Sequence, residues 1–146
     1  MLPKAQKTLK ELPTCNVVSW NVLITGYVQQ GKDHEALSCF RNMKTEGIAP
    51  DAVTFTCILK TCGKIGAIDK GKELHDEIVS RGLLKKDIVL GTALVDMYVK
   101  CGELQKAHIV LEELYMRNIV SWSALIAGYV QQGQGHEALN CFEQLQ

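Results

Sequence analysis

Two stretches of this chain are close copies of one another. NVVSWNVLITGYVQQGKDHEALSCF begins at Asn16 and NIVSWSALIAGYVQQGQGHEALNCF begins at Asn118, an offset of 102 residues. Self-similarity at that level confines a chain to a repeat architecture. Two weaker copies lie between, AVTFTCILKTCGKIGAIDKGKELHDEI from Ala52 and IVLGTALVDMYVKCGELQKAHIVLEEL from Ile88. Unit starts at Val17, Ala52, Ile88 and Ile119 give spacings of 35, 36 and 31.

Each unit predicts two helices. In the first copy Leu23, Ile24, Tyr27 and Val28 fall at helical spacing, and Ala36, Leu37, Phe40 and Met43 repeat the pattern. Gly31, Gly66, Gly102 and Gly133 stop the first helices, while Gly47 and Gly82 stop second helices. A helix pair of this size cannot bury its apolar face alone, and stacked copies supply the missing partner. The expected fold is all-α, a right-handed α-α superhelical solenoid of stacked helix-turn-helix repeats.

Charge sharpens the picture. The chain has 16 Lys+Arg against 16 Asp+Glu, which argues against a nucleic-acid binder working by bulk attraction. Val17–Gln30 and Ile119–Gln132 carry no charge at all, whereas the second helices carry Asp33, Glu35, Arg41, Lys44 and Glu46 in the first copy alone. First helices are therefore expected to line an almost uncharged inner face, and second helices a wet outer one. No apolar run approaches the ~18 residues of a membrane span. The N-terminal stretch has no signal-peptide core and, with Glu11 and no arginine, makes a poor transit peptide.

Two helical-repeat families fit a pair of this length. Trp20, Leu23, Tyr27, Ala36 and Phe40 match the tetratricopeptide pattern, but Ile24 stands where that pattern wants Gly, and no spacing is 34. VSWNVLITGYVQQGKDHEALSCFRNMKTEGIAPD resembles a pentatricopeptide repeat nearly end to end, and the 35, 36, 31 cycle resembles the plant subclass that alternates P, L and S motifs. On that resemblance residues 1–16 are the second helix of a truncated S motif, 17–51 a P motif, 52–87 an L motif, 88–118 an S motif and 119–146 a truncated P motif. The chain then belongs to a longer array.

The resemblance implies sequence-specific binding of single-stranded RNA, one nucleotide per repeat, within an organellar RNA-processing or C-to-U editing factor. It implies a mitochondrial or chloroplast location, partners among RNA-editing or processing factors, no cofactor, and no DNA or membrane partner. The family's fifth and last residues choose the base. Here those are Asn21 with Asp51, Thr56 with Asp87, Thr92 with Asn118, and Ser123 with its partner outside the chain. By the family's code the first pair selects uridine, the second guanine and the third adenine. Val18, Val53, Val89 and Val120 hold the position that packs on base faces. Gln29, Lys64, Lys100 and Gln131 hold the one that meets phosphate, with the two lysines the expected contacts. The alternative is a protein-binding scaffold of tetratricopeptide kind.

Enzyme motifs are incomplete. GAIDKGKE, from Gly66, has Glu73 where a P-loop needs Ser or Thr for magnesium, and no strand precedes it. HEAL, at His34 and His136, is not HExxH, because Ser38 and Asn140 replace the second His. The deaminase signature H-x-E…P-C-x-x-C does not occur. No CxxC pair or zinc-finger spacing joins the six cysteines, so they are expected to be free thiols and the chain to hold no metal. The four histidines are expected to sit at the surface or in packing, and the chain is not expected to be an enzyme.

Overall fold

A computed structural model describes residues 16–85, 87–114 and 119–145. They form eight α-helices in four consecutive pairs, with no strand among the described residues. The pairs are α1 (Val17–Gln29) and α2 (Asp33–Thr45), α3 (Ala52–Ile65) and α4 (Ile68–Ser80), α5 (Ile88–Lys100) and α6 (Leu104–Glu113), and α7 (Ile119–Gln131) and α8 (Gly135–Leu145). The fold is all-helical, as the periodicity required. A 3-10 turn at Leu83–Lys85, unforeseen in the sequence, takes up chain in the longest spacing. The shortest spacing contains the shortest helix, α6, of 10 residues.

The first helices end in a shared way. Lys32 N–H bonds to Tyr27 C=O at 2.9 Å and Gly31 N–H to Val28 C=O at 3.1 Å. This is the Schellman closure, and it needs a left-handed residue after the cap; Gly31 supplies φ of 73°. Tyr98 and Tyr129 accept the same bond from Glu103 and Gln134. The recurring Tyr-Val-x-x-Gly string is therefore a helix stop written in sequence.

The chain divides into two compact units at Thr61/Cys62, inside α3. In the first unit α1 packs on α2. Trp20, Ile24, Phe40, Met43, Phe55 and Ile58 are fully buried there. Phe40 of α2 meets Phe55 of α3 edge-on, with ring centroids 6.0 Å apart. Each such side chain is worth about 1.5–3 kcal/mol of burial, so this aromatic pair is a principal link from one repeat to the next.

In the second unit α5 packs against both α6 and α7, and α7 against α8. Leu94, Val95 and Met97 of α5 are all buried, which is why that helix is apolar nearly all round. Gly128 lets α7 come close: a Cβ there would stand 2.8 Å from Val99 Cγ1 and 2.9 Å from Leu104 Cδ2. The P-loop-like stretch is a turn at Gly66 followed by the start of α4, with Gly71 buried against Met97, The five described cysteines are free. No described helix is long and apolar enough to cross a membrane.

Candidate nucleic-acid interface

The residues that close one repeat also open the next helix. Asn16 accepts a hydrogen bond from Ser19 N–H at 3.1 Å, Asp51 from Thr54 N–H at 3.1 Å, and Asp87 from Leu90 N–H at 2.9 Å. Each is a side-chain N-cap, which Asn and Asp fill because their short acceptors reach the orphan donors of a helix start. Sequence reading gave Asp51 and Asp87 a base-choosing position and missed this local role. The signal was present, since Asn and Asp directly preceding an apolar helical pattern are N-cap residues.

Asp51 does more than cap. Asn21, on α1, donates from Nδ2 to Asp51 Oδ1 at 3.0 Å. Thr54 completes the group. Its hydroxyl accepts from Asp51 N–H at 3.1 Å, the reciprocal half of a capping box, and donates to Asn21 Oδ1. The single hydroxyl proton also lies 3.0 Å from Asp51 Oδ1. We assign it to Asn21 Oδ1, because Asp51 Oδ1 already accepts from Asn21 and from Thr54 N–H. Burial would raise the Asp51 carboxyl, but hydrogen bonds from Asn21, Thr54 and the Val53 backbone outweigh it and hold the carboxyl below its usual range.

Asn21 is only 8% exposed, yet it lines a surface groove of about 550 Å³ together with Asp51, Val18, Val53, Thr25 and Gln29. Val18 and Val53 are 63% and 54% exposed, unusual for branched apolar residues on helices. Asp51 is the one charged side chain lining the groove among the described residues. A polar edge between two exposed apolar side chains suits a flat heterocycle bearing hydrogen-bonding groups. Nothing in the groove attracts a phosphate.

The remaining candidates are placed as follows. Val89 is 63% exposed, matching Val18 and Val53. Asn118 and the Val120 side chain lie outside the described residues. Thr56 and Thr92 each donate their hydroxyl to the carbonyl four residues back, Ala52 and Ile88, at 2.8 Å. Thr56 belongs to the first unit and Asp87 to the second. Ser123 is exposed on α7. Lys64 and Lys100 stand in the last turns of α3 and α5, where they also oppose the helix dipoles. Lys100 pairs with Asp96 at 3.0 Å, and its stem lies against Gly63.

The histidines divide. His75 and Tyr98 share a hydrogen bond of 2.7 Å, and His108 packs edge-on against Trp122 and Tyr129. His34 and His136 are exposed. No group of three metal-ligating side chains occurs among the described residues.

Family models fit this chain along most of its length. The PPR repeat family model matches residues 15–64, and the PPR repeat model matches 53–83, 92–119 and 120–146. The chain belongs to the pentatricopeptide repeat family. A pentatricopeptide repeat-containing protein of Arabidopsis thaliana is 39% identical over 144 residues, covering 99% of this chain and 18% of that protein. A second from the same plant, described as chloroplastic, is 42% identical over 128 residues, covering 87% of this chain and 15% of its own length. The chain spans 15–29% of the length of the first curated relatives it matches. The fold matches the crystal structure of the maize pentatricopeptide repeat protein PPR10 with a TM-score of 0.76 at 20% identity, over 89% of this chain and 19% of that one. A structure of PPR10 in complex with an 18-nt psaJ RNA element matches equally well, at 19% identity over 96% of this chain and 21% of that one.

Proposed function

We propose that this chain binds single-stranded RNA, one nucleotide per repeat, along the faces of its first helices. The observation that carries the reading is the groove in which Val18 and Val53 stand beside the hydrogen-bonded pair Asn21 and Asp51. Asn21 uses one amide proton on Asp51 and one carbonyl lone pair on Thr54, so a second proton and a second lone pair remain for a base. Uracil offers an acceptor, O4, beside a donor, N3–H, and matches that edge. Val18 and Val53 would hold the ring from either side. Asp51 then steadies the reading amide by direct contact as well as capping the next helix.

The same reading extends along the chain. Val89 and Val120 would take the ring-packing role, Thr56 with Asp87, Thr92 with Asn118, and Ser123 the base-choosing role, and Lys64 and Lys100 the phosphate contacts. The unit boundaries are 17–51, 52–87, 88–118 and 119–146, with residues 1–16 closing an earlier unit. The 35, 36, 31 cycle supports membership of the P, L, S subclass within a longer array. That subclass supports a parent protein acting in RNA processing or C-to-U editing, alongside other processing factors. The RNA complex of PPR10 and the chloroplastic relative support RNA as ligand and an organelle, chloroplast or mitochondrion, as location. The chain itself is assigned no catalysis and no cofactor.

Competition between RNA oligonucleotides that differ at one nucleotide tests the reading. A preference for uridine at a single register is expected; equal competition by all four bases would overturn it.

A further inference from the structure

We propose that Thr54, a residue of the second repeat, is a positioning residue that sets which pyrimidine the first repeat accepts. The inference rests on the RNA-reading function proposed above and adds a third residue to the pair Asn21 and Asp51.

A side-chain amide presents one donor and one acceptor side by side. Uracil shows acceptor O4 next to donor N3–H, whereas cytosine shows donor N4–H2 next to acceptor N3. With the base held in one pose, an amide turned one way matches uracil and the same amide rotated by 180° matches cytosine. Base choice between pyrimidines is therefore a question of what fixes the amide.

Two groups fix it here. Asp51 can only accept, so it turns the NH2 of Asn21 toward itself, at 3.0 Å. Thr54 holds the other end. Its hydroxyl is filled by the Asp51 N–H, so its proton points outward to Asn21 Oδ1. Thr54 is fully buried, so water does not compete for that proton. Asp51 is half-exposed by contrast, and its carboxylate meets solvent at the groove. The buried hydroxyl is thus the better-insulated of the two restraints.

The device is local to this junction. At the next helix start Asp87 caps in the same way, but its third residue is Leu90, which has no hydroxyl to give. Thr54 therefore does something that capping alone does not require.

The test compares the unmodified chain with Thr54→Val, which keeps the shape and removes the hydroxyl, and Thr54→Ser, which keeps the hydroxyl. The readout is the ratio of affinities for two RNAs differing only by uridine or cytidine at the position read by the first repeat. Thr54→Val should lower the ratio about fivefold, the worth of one orienting hydrogen bond, and Thr54→Ser should restore it. Loss of affinity for both RNAs with an unchanged ratio would show that Thr54 is only structural and would overturn the proposal. No preference at that position in the unmodified chain would instead overturn the RNA-reading function itself, and this proposal with it. NMR of the unmodified chain gives an independent check if Thr54→Val fails to fold. The Thr54 hydroxyl proton should exchange slowly and show a nuclear Overhauser contact with the Asn21 side-chain NH2; rapid exchange with water would contradict the assignment.

Discussion

Asn21 reaches across the repeat junction and donates to the Asp51 carboxylate at 3.0 Å, thirty residues further along the chain. The bond joins the middle of α1 to the N-cap of α3. One carboxylate therefore caps a helix, steadies a side-chain amide and faces the groove. That economy explains why a position identified by base choice is also an architectural one.

Asp51→Ala should cost about 1–2 kcal/mol of stability, the usual penalty for losing an Asp cap. The effect should depend on pH. The folded-state carboxyl is held below its ordinary value, so its contribution is complete above the unfolded value, near 4, and is lost as pH falls through the folded value. Urea melts at pH 7 and pH 3 measure this: wild type should weaken toward pH 3, and the gap to Asp51→Ala should narrow.

His75 gives a second pH dependence at higher pH. Burial lowers its affinity for a proton, against the opposing pull of Asp76 and Glu113, while burial pushes the Tyr98 phenol up to about 12. A histidine held neutral in the fold contributes stability that is present above its unfolded value of about 6.5 and is lost as pH falls through the lower folded value. Thermal melts between pH 7.5 and 5 should show the loss, and His75→Gln should flatten it.

Gly71 and Gly128 should respond oppositely to alanine. Replacing either adds helix propensity worth about 1 kcal/mol. At Gly71 the new methyl meets only Sδ and Cε of Met97, the flexible end of a long side chain that can swing away. At Gly128 it meets the branched Val99 at 2.8 Å and Leu104 at 2.9 Å, and overpacking costs about 1–3 kcal/mol. Denaturant midpoints should show Gly71→Ala neutral or stabilising and Gly128→Ala destabilising.

Lys64→Ala and Lys100→Ala should weaken binding to all RNA sequences alike. Two phosphate contacts predict a salt slope of about −1.4 on a single strand, and each substitution should remove about 0.7 of it. Titrations at several salt concentrations measure the slope. Losses that depend on sequence would contradict the phosphate role.

The helix pairs were legible because each depends on local signals: apolar residues at helical spacing, Gly31 and its counterparts as stops, and repetition itself. Val18 and Val53 could be placed on a common surface for the same reason. Thr54 could not be recognised as a partner of Asn21. A threonine in the first turn of a helix looks like a routine polar residue, and its partner lies 33 positions away in sequence. The back-bonding of Thr56 and Thr92 was also hidden, because a threonine hydroxyl has several rotamers and the sequence does not choose among them. Lys100 with Asp96 stands at the four-residue spacing of a helical ion pair, so that contact was readable but unweighed.

Asn21→Thr tests the central claim most directly. Threonines at the equivalent positions return their hydroxyl to the carbonyl four residues back, as Thr56 and Thr92 do at 2.8 Å. A threonine placed here would do the same toward Val17, leaving oxygen lone pairs that accept from a purine amine and more room for the larger ring. The measurement is competition among four RNAs that differ only at the nucleotide read by the first repeat. The expected result is a shift from uridine toward guanine worth about 1–3 kcal/mol, with neighbouring positions unchanged. An equal loss of affinity for all four bases would contradict the claim, because Asn21 would then hold the fold and read nothing.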